Sequence, residues 1–173
     1  MPAVTTREEA LGILEDGHAA LAALAAGLDD DAFVRPATIG GGDWSAKDLV
    51  AHVTTWEEIA LRTMEEWRRG ETPWIESTPK NADDINAETV AQKAAMPAGD
   101  VRAESERVHD ELVGRIRATT DDEWSAEAFW ETERPNTFGG ILGGVLAAPK
   151  RPFAHAFAHL AELEAYVASA SND

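Results

Sequence analysis

Hydrophobic residues recur at helical spacing in four long segments of the chain. Within each segment, apolar positions lie three and four residues apart, which is the spacing of one face of an α-helix. The segments run from Thr5 to Leu28, from Ser45 to Gly70, from about Asp100 to Thr119, and onward from Pro152. No segment shows a persuasive strand pattern. The pattern therefore predicts an all-α four-helix bundle, with residues 1–173 in a single domain.

The second predicted helix has the clearest boundaries. Ser45 is a favourable N-cap, and Asp48 lies three residues later, as in a capping box. Basic residues followed by Gly70 suit the C-terminus of this helix. Its inward face comprises Leu49, His52, Trp56, Ile59, Thr63 and Trp67.

Proline and glycine mark the connections between these helices. Residues 29–42 and 71–80 are predicted to be loops, and a shorter helical pattern covers residues 82–95. The irregular pattern of residues 120–151 predicts a long irregular loop before the last helix, with room for one short helix. Its aromatic and aliphatic side chains suggest that the loop packs over the rest of the molecule. The role of its glycine-rich part, residues 138–148, stays open.

The composition excludes several classes of partner. The chain has 32 acidic and 15 basic residues and a net charge of −17, which disfavours nucleic acids and anionic membranes. No apolar run approaches the roughly 20 residues of a membrane span, and the N-terminus lacks a signal-peptide pattern. We therefore expect a cytoplasmic protein. Because the chain has no cysteine, any thiol nucleophile must come from outside.

Three histidines predict a metal site. His155 and His159 are four residues apart in the last predicted helix, which would stack them on one face. His52 lies on the inward face of the second helix. Three neutral imidazoles would leave coordination positions open for water or substrate, as in catalytic sites. The alternative is that each histidine bonds to a carbonyl or carboxylate inside the bundle.

Three further residues are candidates for the surroundings of this site, and a fourth borders the bundle interior. Glu162, three residues after His159, could orient a ligand imidazole, although a solvated charge also fits this position. Trp56, one turn beyond His52, could wall the pocket or belong to the core. His18 could line the pocket, but a hydrogen-bonded core histidine suits its position better. His109 borders the inward face of the third helix and is expected to be half-exposed.

The run from Gly42 to Glu57 resembles the second-helix signature of the DinB-like superfamily of four-helix bundles. The pair His155 and His159 matches the other half of that signature. The stretch from Asn81 and the third helix look most similar to the ClbS/DfsB branch. The resemblance implies that His52 and the pair bind a divalent ion such as zinc, nickel or iron. It also implies an external low-molecular-weight thiol, such as mycothiol or bacillithiol, as a possible co-substrate.

Three functions follow as alternatives. The first is a metal-dependent S-transferase or hydrolase that acts on a small electrophilic molecule. The second is a protein that binds and sequesters a reactive small molecule. The third is a ClbS-like detoxifying or self-resistance hydrolase that needs no metal. The sequence leaves open the substrate, the ion, the choice between thiol and water, and whether two bundles pair as a homodimer.

Overall fold

The computed structural model describes residues 5–132, 136–149 and 151–171. In these residues the regular structure is helical, apart from two isolated β-bridges, and the all-α prediction is confirmed. The helices are α1 (Arg7–Ala26), α2 (Asp30–Val34), α3 (Ala46–Arg68), α4 (Trp74–Ser77), α5 (Ala82–Lys93), α6 (Ala98–Ala118), α7 (Asp121–Ser125), α8 (Phe138–Val145) and α9 (Phe157–Ala170).

The four long helices α1, α3, α6 and α9 form the bundle. Helix α3 packs along α6, and α1 lies against both α6 and α9. The predicted capping box starts α3: Ser45 Oγ accepts the Asp48 N–H at 3.1 Å, and the Asp48 carboxylate accepts the Ser45 N–H at 2.9 Å. Two short helices, α2 and α4, interrupt stretches that were predicted to be loops. Among the helices described, none is long and apolar enough to cross a membrane.

The prediction of a long irregular loop over residues 120–151, with room for one short helix, is wrong in part. Two helices, α7 and α8, form within this segment. Helix α8 begins where Thr137 Oγ1 accepts the Gly140 N–H at 3.1 Å. Its glycines lower the intrinsic helix propensity by about 1 kcal/mol each relative to alanine. They also admit close neighbours: the Trp124 ring lies where a Gly139 Cβ would be. Burial of Phe138 and Leu142 in the core offsets the weak propensity.

The last helix begins later than predicted, at Phe157 rather than Pro152. Phe153 has a φ of 61°, which ends any helical path through this residue and turns its ring into the core. His155 therefore lies in the turn before α9, and only His159 belongs to the regular helix. This connection brings the two histidines together by a turn rather than along one continuous helix face.

Candidate metal centre

Three histidine side chains from separate parts of the chain meet beside α3. His52 projects from α3 and is 3% exposed, His155 comes from the turn before α9, and His159 lies in the first turn of α9. The Nε2 atoms of His52 and His155 are 3.0 Å apart, and those of His155 and His159 are 3.3 Å apart. The structure thus brings the three predicted residues together, and we call them the histidine triad.

The triad has the geometry that one ion requires. Its ring planes cross at 73° to 87°, and the Nε2 atom of His155 lies 3.0 Å from that of His52 and 3.3 Å from that of His159, so the Nε2 edges of the three rings meet. Nitrogens bonded to one ion at about 2.0–2.1 Å lie about 2.9–3.4 Å apart for tetrahedral or octahedral angles. The two measured Nε2 separations fall in this range, so the side chains fit a divalent ion.

Burial keeps two of these imidazoles in the form that binds metals. Burial, with added effects of His155 and His159, lowers the pKa of His52 to about 3. Burial and His159 lower the pKa of His155 to about 4. Both rings are neutral at neutral pH, and a neutral imidazole has a free lone pair for coordination. A smaller contribution from the Asn86 side chain acts in the opposite direction on the pKa of His52, which indicates that the amide lies beside that ring.

Glu162 lies where the sequence predicted an orienting carboxylate. Its Oε1 atom accepts a hydrogen bond from His159 Nδ1 at 2.7 Å. Because the proton is then on Nδ1, the lone pair of His159 is on Nε2, which faces the other two histidines. The backbone of Gly40 lies against the same carboxylate, where a Cβ would meet Glu162 Oε2. The loop before α3 therefore packs against the Glu162 carboxylate, which orients His159.

The triad lies in a cleft of about 490 Å³. The remaining lining residues are Trp56, Ala82, Asn86, Gly144, Val145, Ala147, Ala148, Pro149 and Ala158. One wall thus comes from α3 and α5, and the other from α8 and the turn that follows it. A larger depression of about 870 Å³ lies between α1 and α7, but its lining includes no histidine. Of these two depressions, the one with the triad combines convergent ligand atoms with space for a substrate.

A second group of titratable residues lies inside the bundle. The rings of His18 and His109 stack with 3.8 Å between centroids and 5° between planes, and we call them the stacked pair. Glu57 Oε1 accepts a hydrogen bond from His109 Nδ1 at 3.0 Å. His18 does not line the cleft. His109, expected to be half-exposed, is only 6% exposed because it faces α1 and α3, so that prediction is wrong.

Proximity alone would make this second group look like another metal site, since its ligand atoms lie within 4.8 Å of one another. The ring orientation argues otherwise. An imidazole lone pair lies in the ring plane, and two parallel planes 3–4 Å apart share no point where one ion could lie in both. As arranged, the stacked pair and Glu57 form a polar contact between helices rather than a coordination site.

Two residues near these clusters were missed by sequence reasoning. Glu57 follows Trp56 and was not singled out in the sequence, yet it is 5% exposed. Asn86 lies next to the inward-facing Ile85 on α5, and its side chain accepts a hydrogen bond from Trp56 Nε1 at 2.9 Å. The only sequence signal for either was a polar residue beside an apolar stripe.

Comparison with solved structures supports the fold and extends over nearly the whole chain. An uncharacterised protein from Escherichia coli UTI89 has 17% identity and a TM-score of 0.78, with 96% of this chain and 95% of that chain covered. The colibactin self-resistance protein ClbS, solved with double-stranded DNA, has 12% identity and a TM-score of 0.69, with coverages of 98% and 96%.

A third similar structure is a mycothiol-dependent maleylpyruvate isomerase, with 20% identity and a TM-score of 0.69. The match covers 91% of this chain but only 60% of the isomerase. No curated protein sequence matches significantly. A family model of the DinB superfamily matches residues 13–162. The chain therefore belongs to the DinB superfamily.

Proposed function

We propose that this protein is a metal-dependent enzyme that transfers a thiol to, or hydrolyses, a small electrophilic molecule. The observation that carries the proposal is the meeting of three Nε2 atoms at the side of a cleft. His52, His155 and His159 would hold a divalent ion such as zinc, nickel or iron. Such an ion, when bound, supplies a Lewis acid that polarises an electrophile or lowers the pKa of a water or thiol.

The protein groups around this site have separate tasks in the proposal. Glu162 holds the proton of His159 on Nδ1 and so keeps Nε2 available. The Trp56 ring meets His155 edge-on at 6.0 Å between centroids and limits the cleft on that side. The apolar turn after α8 forms the opposite wall and restricts access of water to the substrate.

The nucleophile must enter from solution, because none of the 173 residues is a cysteine. Water and a small cellular thiol both meet this requirement. The similar structures include a mycothiol-dependent enzyme and a self-resistance protein, which supports detoxification or thiol transfer as reaction classes to test. At these low identities, the likeness extends to the fold alone.

Turnover of simple electrophiles tests the proposal. Zinc-loaded and nickel-loaded protein would be assayed with 4-nitrophenyl acetate for hydrolysis, and with 1-chloro-2,4-dinitrobenzene plus mycothiol for transfer. We expect turnover that is lost on chelation, restored by the ion, and absent in His159→Ala. Hydrolysis that survives complete metal removal would instead identify a metal-free hydrolase. Tight binding of such compounds without turnover would identify a sequestering protein.

A further inference from the structure

The Asn86 side chain has a fixed orientation beside the histidine triad. Its Oδ1 atom accepts a hydrogen bond from Trp56 Nε1 at 2.9 Å, and both side chains line the cleft. An indole N–H can only donate, so the amide oxygen must be the atom that faces Trp56. The amide nitrogen, with its two N–H groups, is consequently directed elsewhere.

The Asn86 Nδ2 atom has no hydrogen-bond acceptor among the residues that the structure describes, whereas the oxygen of the same amide is engaged. Asn86 is half-buried rather than exposed at the helix surface. A free amide N–H in the wall of a cleft that contains three convergent imidazoles is well placed to contact a bound molecule.

We infer that Asn86 Nδ2 donates a hydrogen bond to an oxygen atom of the substrate while that substrate occupies the triad. This inference rests on the proposed function and narrows it. The substrates would be small electrophiles with an acceptor oxygen next to the reactive carbon, such as esters, amides or ketones. A donor held in advance stabilises the negative charge that develops on that oxygen during attack. Trp56 acts as a positioning residue, because its N–H sets which side of the amide faces the substrate.

Calorimetric titration of zinc-loaded protein with acetohydroxamate tests this assignment. The probe binds metal ions through oxygen atoms that can also accept a hydrogen bond. We expect Asn86→Ala to weaken acetohydroxamate binding about 3- to 10-fold at unchanged zinc content. Trp56→Phe should weaken binding less, because the donor remains but the amide is free to turn.

Two controls separate this role from a general effect. Gln92→Ala removes an amide from the same helix outside the cleft, and it should leave acetohydroxamate affinity unchanged. Imidazole is the control ligand, since once coordinated through one nitrogen it presents only an N–H donor. Its affinity should be equal in the wild type and in Asn86→Ala.

Equal acetohydroxamate affinity in the wild type and Asn86→Ala, at equal zinc content, would overturn the inference alone. Loss of zinc from Asn86→Ala would also overturn it, because the amide would then be needed to hold the ion rather than to contact the ligand. A wild type that binds no zinc would instead refute the proposed function on which the inference rests. The three results are distinguished by zinc analysis of each sample before titration.

Discussion

The bundle contains two groups of histidines at similar distances but with different ring orientations. In the histidine triad the rings cross at 73° to 87°, and Nε2 atoms converge. In the stacked pair the rings of His18 and His109 are parallel within 5°, and Glu57 bonds to one of them. The first group opens into a cleft, whereas all three residues of the second are buried.

The difference shows that coordination depends on the direction of lone pairs as well as on distance. Both groups satisfy a distance criterion for holding an ion. In each group a carboxylate bonds to one Nδ1 and leaves the Nε2 of that ring free. Of the two groups, however, the triad alone directs its lone pairs to a common point. We therefore expect the triad to serve metal binding and the second group to serve stability, and each expectation can be tested independently.

The largest expected effect is a loss of folding stability when the second group, the stacked pair with Glu57, is disrupted. Glu57→Ala should lower the free energy of unfolding by about 2–3 kcal/mol, because His109 loses its buried hydrogen-bond partner. Urea denaturation would measure this change. Glu58→Ala is the matched control, since the adjacent carboxylate contacts Lys93 near the surface and should cost less than about 1 kcal/mol. Zinc content should be normal in both variants, and loss of zinc from Glu57→Ala would contradict the division of roles.

The next effect concerns acid stability of the metal-free protein. The pKa values of His52 and His155 are lowered from 6.5 to about 3 and about 4. As the pH falls below 6.5, the unfolded chain takes up protons that the folded chain does not. The free energy of unfolding should therefore fall, with a slope of up to about 1.4 kcal/mol per pH unit for each histidine.

Urea denaturation in the presence of a chelator, from about pH 7 to about pH 4.5, would measure that slope. The His52→Ala variant should show a smaller slope, because one of the two protons is no longer excluded by the folded state. Identical slopes in this variant and the wild type would show that acid destabilisation arises elsewhere in the chain.

A smaller effect is expected at the carboxylate that orients the triad. Glu162→Ala should weaken zinc binding about 10- to 100-fold, because His159 loses the partner that fixes its tautomer. Competition with a chromophoric chelator gives the zinc dissociation constant. Glu164→Ala, an exposed position on the same helix, should bind zinc like the wild type. Unchanged zinc affinity in Glu162→Ala would show that this carboxylate is not needed to orient His159 for metal binding.

The smallest effect distinguishes two neighbouring glycines. Gly40 and Gly41 both have positive φ angles, 62° and 75°, so alanine at either position costs about 1 kcal/mol of backbone strain. Only at Gly40 would the added Cβ meet Glu162, since Gly41 has open space around it. We expect Gly40→Ala, but not Gly41→Ala, to weaken zinc binding, by about 10-fold or less. Equal zinc affinity in both variants would mean that the carboxylate can move without consequence.

Local signals in the sequence were sufficient to predict the long helices. The capping box at Ser45 and the apolar spacing that follows it placed α3 within a residue or two. Helix α8 could not be predicted in this way, because four glycines in eleven residues argue against a helix. Trp124 and Phe153 pack closely on Gly139 and Gly143, and both lie outside the helix, in the segments before and after it. A propensity summed along the helix therefore misses them.

The candidate site was predictable where it follows helix spacing and not where it depends on tertiary contacts. His52 was assigned to the inward face of its helix, and it is buried there. The i,i+4 spacing of His155 and His159 predicted their proximity. The helix begins only at Phe157, however, because Phe153 has a positive φ, and a turn holds His155 beside His159. Asn86 could not be identified, because its role depends on how α5 docks against Trp56.

The most direct test of the account is elemental analysis of untagged protein after incubation with zinc or nickel and dialysis. The samples are the wild type, His52→Ala, His159→Ala and His18→Ala. We predict about one ion per chain in the wild type and in His18→Ala, and none in the two triad variants. An ion that persists in His52→Ala but disappears in His18→Ala, or a wild type that binds no metal, would contradict the central claim.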